Sequence, residues 1–261
     1  MPIINQIVKG SGGSGPVGLY REFQLDANGV LQPNTTTTHI MDFTGMTDVS
    51  DYALTRAYYD NTAIYGAVDM SDLTTISGNY ACSYMFYGCT GLTSADISAL
   101  TTVSVSNAFS LAFAYSGITS VDLSALTTIS GSSAFSSAFA HSGITSVDLS
   151  ALTTISGNNA CYGMFSSIGI TTISLPSLTT ISGNASCSYM FENCTSLATV
   201  YIGGTTAIDF GTRTNQFTAM FSGCTQNIDV YAPAANQAAI EAFSGYPNFG
   251  GTGTVTWHWR S

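Results

Sequence analysis

A string of twenty-one residues is written twice in this chain. SAFAHSGITSVDLSALTTISG runs from Ser137 to Gly157, and LAFAYSGITSVDLSALTTISG runs from Leu111 to Gly131. The copies differ only at Leu111/Ser137 and Tyr115/His141. A catalytic centre needs one arrangement of unlike groups, whereas a duplicated string predicts a stacked building unit. Aligned on LTTIS, or LTTVS in one copy, units begin at Leu73, Leu100, Leu126, Leu152 and Leu178, 26 or 27 residues apart. Degenerate copies begin at Met46 and near Thr205, so about seven units span residues 46–232.

Each unit has a mechanical reading. In ITSVDL, Val147 and Leu149 alternate and share one face of a strand, while Asp148 points the other way. SALTTIS then carries Leu152 and Ile155 inward around a turn. In GSSAFSSAF, Phe135 and Phe139 stand four apart, a spacing that suits one turn of helix with both rings on the core side. Ser142-Gly143 closes the unit, because glycine tolerates a positive φ. One unit cannot enclose a core. Stacked units bury a continuous one, each ring packing on its equivalents above and below.

A period of roughly 20–29 residues with L-x-x-L-x-L spacing marks leucine-rich repeats. CTSLATVYI, ITTISLPSLTTISG and YMFENCTSL narrow this further. They resemble the BspA-like leucine-rich repeats, also called the Treponema pallidum type. The family's phenylalanine is matched by Phe86, Phe113, Phe139, Phe165, Phe191 and Phe221. Its following cysteine is matched by Cys89, Cys194 and Cys224, with Ser116, Ser142 and Ile168 standing in other units; its proline is matched only at Pro176. The resemblance implies a β-rich, right-handed repeat solenoid with a parallel strand stack and short helical turns. The role it implies is adhesion and display.

Residues 1–38 read as an attachment segment, 39–232 as the solenoid and 233–261 as a C-terminal cap. In the first segment, Gly10–Gly18 is a flexible linker. YREFQLDANGVLQP is a hairpin turning at Ala27-Asn28-Gly29, and MPIINQIV is an apolar docking tag. In the cap, Ile240 and Phe243 share one side of a short helix, and Trp257 and Trp259 lie on a final strand. No stretch approaches roughly 18 apolar residues, and the opening lacks a signal-peptide pattern. Only 8% of residues are charged and the net charge is −10, so Thr, Ser, Asn and Gly must supply solubility. Such a surface repels nucleic-acid phosphates and anionic membranes alike.

The candidate sites follow from the repeat. Cys82, Cys161 and Cys187 share the slot held by Phe109 and Phe135, which predicts buried thiols. Cys161/Cys187 and Cys194/Cys224 are equivalent positions in neighbouring units, the one arrangement here that would allow disulfides. Asp69, Asp96, Asp122, Asp148 and Asp229 are assigned to the outward strand slot, interrupted by Ser174 and Tyr201. Carboxylates about 4.8 Å apart raise one another's pKa. They read either as a solvated ladder offset by turn hydrogen bonds or, at Asp96, Asp122 and Asp148, as a calcium-bridging ladder. No zinc spacing is present, so no other cofactor is expected. The residues after the repeat phenylalanine vary freely, and tyrosines gather there. Tyr84, Tyr87, Tyr115, His141, Tyr189 and Glu192 are therefore the candidate binding rim.

These features favour a non-enzymatic virion protein, a phage tail or head fibre. Residues 1–38 would join other virion proteins, and the solenoid would recognise a glycan or protein on the host surface. The opening MPIIN, the Gly-rich stretch and YREFQLDANGVLQPNTTTTHIMDFTG look like the starts of phage appendage proteins. Assembly with further copies of itself suits such a module. The alternative is a bacterial cell-surface adhesin of the BspA-like type. An enzyme acting on polysaccharide would need paired carboxylates in unlike settings, and a repeat supplies near-identical ones.

Overall fold

The computed structural model describes residues 43–213 and 215–261 in full and, among the first 42, the backbone of three strands. Residues 43–261 form a parallel β-solenoid of about eight turns with very little helix. The repeat solenoid expected from the sequence is the observed architecture. Each turn, or coil, contributes three walls.

The first wall comes from the VDL segments. Tyr65–Asp69, Gly91–Asp96 and Ser120–Asp122 pair in parallel, and a single bridge adds Asp148 to Asp122. Further along, Thr172–Leu175, Thr199–Ile202, Ile228–Pro233 and Val255–Arg260 form a second parallel sheet. Alternation buries Val121 and Leu123 and leaves Asp122 outside.

The second wall replaces an expected turn with strand. Leu152 and Ile155 do point inward and are fully buried. Yet Thr154–Ile155 is a two-residue strand in a ladder with Thr102–Val103, Thr128–Ile129 and Thr180–Ile181. Outside it, threonines bond from coil to coil. The Thr127 hydroxyl donates to the Thr101 carbonyl (2.9 Å), and the Thr153 hydroxyl to the Thr127 carbonyl (3.0 Å).

The third wall carries Phe135 and Phe139, both inward, on a chain of tight turns rather than a helix. Ala138 N–H donates to the Phe135 carbonyl and Ala140 N–H to the Ser137 carbonyl, each three residues back. The intervening N–H groups donate sideways: Phe113 to Ala138, Phe139 to Met164 and Phe165 to Met190. Every fourth residue is left-handed, as at Ser133, Ser137 and His141 (φ 52°, 51° and 57°). That backbone costs an L-residue about 1–2 kcal/mol. The sideways bonds, repeated coil after coil, hold it in place. They also use most of the wall's main-chain donors between residues 52 and 194.

The core between the walls is columnar. Phe86, Phe113, Phe139, Phe165, Phe191 and Phe221 are buried, with successive ring centroids 5.5, 5.7, 5.8, 6.1 and 6.2 Å apart. Phe109 and Phe135 stack at 5.1 Å in a second column. All six cysteines are free thiols and all are buried. Cys89, Cys194 and Cys224 donate to the carbonyls of Tyr58, Phe165 and Phe191 in the preceding coil (2.9, 3.0 and 3.2 Å). No disulfide links the equivalent pairs.

At the C-terminus, the helix Gln237–Glu241 and the residues after it bury Ile240 and Phe243. Phe249 accepts the Phe221 N–H, so residues of this last segment satisfy a donor of the final turn wall. Near the N-terminus, Ile3–Ile7, Tyr20–Leu25 and Leu31–Pro33 form an antiparallel sheet in that order. The apolar segment expected as a tag is thus itself a paired strand. The linker Gly10–Gly18 and the turn Ala27-Asn28-Gly29 lie outside the described residues.

Burial pushes the thiols of Cys89, Cys187 and Cys194 up to about 12. Two results are expected. Iodoacetamide should modify none of the six cysteines in the native protein and all six in denaturant, read by mass spectrometry. The melting temperature should fall as pH climbs from about 9 towards 12. Unfolded thiols ionise first, near pH 8.5, so the folded state holds more protons across that window and loses relative stability. A flat melting profile there would contradict the burial.

Candidate functional site

The turn wall carries the candidate site, because its geometry sorts side chains. Apolar residues between the left-handed positions point inward and are buried, as at Ala112, Phe113 and Ala114. The left-handed residues face outward, so Tyr80, Leu111, Tyr115 and His141 line the exterior to differing degrees. A long side chain here meets its equivalent one coil on.

Four of the predicted rim residues come together: Tyr84, Tyr115 and His141 from left-handed positions, and Tyr87 from the position before the left-handed Gly88, the equivalent of Tyr115. Tyr59 and Tyr87 stack at 4.9 Å with planes 4° apart. Tyr87 meets Tyr115 at 5.2 Å, tilted by 52°, and Tyr115 stacks on His141 at 4.4 Å and 11°. Tyr84 lies beside the column, 5.8 Å from Tyr87 and 6.1 Å from Tyr59. Tyr59, Tyr84, Tyr87, Tyr115 and His141 thus form one aromatic patch over four coils. Arg56 completes it, its guanidinium 5.1 Å from the Tyr59 ring centre and 5.2 Å from that of Tyr84. Burial and the nearby Tyr115, Tyr59, Asp60 and Tyr84 raise the Tyr87 pKa.

Tyr189 and Glu192 do not join this patch. They belong to a second cluster with Tyr162, whose ring lies 5.1 Å from that of Tyr189. Burial, Tyr189 and Glu192 raise the Tyr162 pKa. Glu192 Oε2 lies 3.5 Å from Ser166 Oγ, so the carboxylate reaches back over the preceding coil. In the coil between His141 and Glu192, Gly163 and Ser166 are buried; Tyr162 is exposed on the side of the second cluster, and Ser167 is half-buried in the slot that follows His141.

Arg56 and Tyr162 were not among the predicted site residues. Arg56 sits in the degenerate first unit, where the repeat alignment is weakest. Its signal was the four-residue spacing Tyr52, Arg56, Asp60, which matches Tyr80, Tyr84, Gly88 in the next unit.

The aspartate ladder is present in part. Asp69, Asp96, Asp122 and Asp148 are in register and line one groove of about 660 Å³. Each accepts a hydrogen bond from the N–H of the serine two residues on: Ser71, Ser98, Ser124 and Ser150 (2.9–3.0 Å). These bonds form the turns that end the strands. At Asp148 the bonds from Ser150 hold the carboxyl below its ordinary value. The direction is opposite to that expected from mutual repulsion. Among the described residues, no group of three or more His, Cys, Asp or Glu is placed to hold a metal ion.

Asp229 corrects the sequence alignment. It pairs with Thr199, whereas Tyr201 pairs with Tyr231 and Tyr231 with His258. The unit between them is longer, so Asp229 lies two positions out of the aspartate slot. It bonds instead to His258 (2.8 Å), and Tyr201, Tyr231 and His258 stack at 4.8 and 4.5 Å. Among the described residues, no helix is long and apolar enough to cross a membrane.

Comparison of the chain with protein-family models, with curated proteins and with solved structures gives no match to any of them.

Proposed function

We propose that the chain is a non-enzymatic binding module: a virion appendage protein, tail or head fibre, of the BspA-like repeat type. It attaches through residues 1–38 and presents its turn wall to the host surface. The aromatic patch of Tyr59, Tyr84, Tyr87, Tyr115 and His141 carries the reading. A uniform core holds these residues on a rigid wall, while the wall's exterior differs from coil to coil. Rigid tyrosines give large contact area with a polar tip and little entropy to lose on binding. The net charge of −10 favours neutral or basic ligands over nucleic acid.

The test uses the full-length chain and the double variant Tyr87→Ala/Tyr115→Ala. Binding to bacterial cells and to their extracted surface polysaccharides is expected to fall at least tenfold, about 1.4 kcal/mol, the scale of one or two aromatic contacts. The melting temperature should change by only a few degrees, since the rings lie outside the core. Equal binding by the variant and the parent would refute the reading. Separately, a chain lacking residues 1–38 should melt like the parent but fail to enter particles. Neither protein should release reducing ends from the polysaccharide.

A further inference from the structure

We infer that the step in the turn wall between His141 and Glu192 is a subsite for one pyranose unit of a neutral glycan. The inference rests on the binding reading above and names its ligand class. The aromatic column Tyr59–Tyr87–Tyr115–His141 advances one coil per ring along the stack. It stops at His141, because the equivalent residue in the next coil is Ser167, also left-handed (φ 59°). One imidazole face lies on Tyr115. The other looks along the stack, over Ser167. His141 is exposed and, among the described residues, stacks on no further ring.

The far side of the step rises again at Tyr189 and Glu192. Two coil spacings of about 4.8 Å separate the His141 coil from the Glu192 coil, about 10 Å in all. The Glu192 carboxylate reaches back over the coil between, so a six-membered ring lying flat on the imidazole would sit over Ser167 with that carboxylate at its edge. The floor is polar: Ser166 Oγ lies 3.4 Å from Ser167 Oγ and 3.5 Å from Glu192 Oε2. Ser166 is buried beneath this pair, so the notch offers an aromatic face, the Ser167 hydroxyl and the Glu192 carboxylate. A sugar's C–H face suits the first, and its hydroxyl groups suit the others.

Other ligand classes fit less well. Glu192 and a net charge of −10 oppose a uronate, a sialate or a phosphate. An extended peptide would add to the wall through its main chain. Here that edge is closed: His141 N–H donates to the Ser166 carbonyl and Ser167 N–H to the Glu192 carbonyl.

The test is an array of neutral hexose and N-acetylhexosamine oligosaccharides with uronate-containing controls, probed with the full chain. The best binder is then titrated by calorimetry. His141→Ala should weaken it at least tenfold. Ser167→Tyr should abolish it without lowering the melting temperature. Tyr115 already places a tyrosine in the equivalent slot, and the new ring would extend the column over the notch. Tyr52→Ala, on the same wall but far from the step, should bind as the parent does. Equal binding by Ser167→Tyr and the parent, or preference for uronates, overturns the subsite and leaves the general binding role standing. If no array glycan binds while cells still do, the subsite is likewise wrong. If neither binds, both readings fall.

Discussion

Phe139→Ala is expected to lower the unfolding free energy by about 3–5 kcal/mol. Phe139 is fully buried, with Phe113 at 5.7 Å on one side and Phe165 at 5.8 Å on the other. Its ring also lies 6.4 Å from Phe135. Truncation removes the buried area of one ring and leaves a cavity between two others. The main chain cannot collapse into that cavity, because it is bonded to the coils on both sides. In a stacked array each coil is stabilised only by its neighbours. The lesion should therefore also weaken the coupling between the coils before and after it. Urea unfolding followed by circular dichroism should show a lower midpoint, and the single transition should broaden or split. Tyr87→Ala on the outside of the same wall should cost less than about 1.5 kcal/mol, the value of a stacked pair without core burial. A loss below about 1 kcal/mol for Phe139→Ala would mean that the phenylalanine column does not hold the fold together.

Gly157→Val should cost about 3 kcal/mol and interrupt the threonine-bearing sheet. A Cβ at Gly157 would lie 2.2 Å from the Gly131 carbonyl oxygen, and one at Gly183 would lie 2.1 Å from that of Gly157. The obstacle is backbone, so the coils must separate to admit a side chain. The protein contains the natural counterpart of this experiment. Val105 occupies the equivalent slot in its own coil, and there the sheet is broken. Asp48–Val49 pairs with Thr75–Ile76, and Thr102–Val103 pairs with Thr128–Ile129, but Thr75–Ile76 and Thr102–Val103 are not paired. The figure combines lost ladder bonds at about 1 kcal/mol each with overpacking strain of about 1–3 kcal/mol. Hydrogen exchange gives the direct readout. Gly157→Val should speed exchange at Ser156, whose N–H now bonds to the Ile129 carbonyl (2.9 Å). Val105→Gly should slow exchange at Ser104 by letting the two sheets join. Unaltered exchange in both variants would show that the glycines are not what permits close approach.

The repeat period alone determined that the chain stacks, that Phe113, Phe139 and Phe165 form a buried column and that the cysteines exchanging with phenylalanine are core thiols. Equivalent positions in a stacked repeat must meet, whatever the local backbone does. Three things were decided only in three dimensions. Spacing of four between Phe135 and Phe139 suits a helix and a run of four-residue turns equally. The turns prevail because alternate N–H groups find carbonyls in the next coil, a partner that no local pattern displays. Asp229 left the aspartate slot because register is set by pairing with Thr199 and Val200, and the longer unit shifts that pairing. The division of the rim into an aromatic column ending at His141 and a separate cluster at Glu192 also needed the stack. Tyr59, Tyr87, Tyr115 and His141 are distant in sequence, and only the pitch of the solenoid brings their rings into contact.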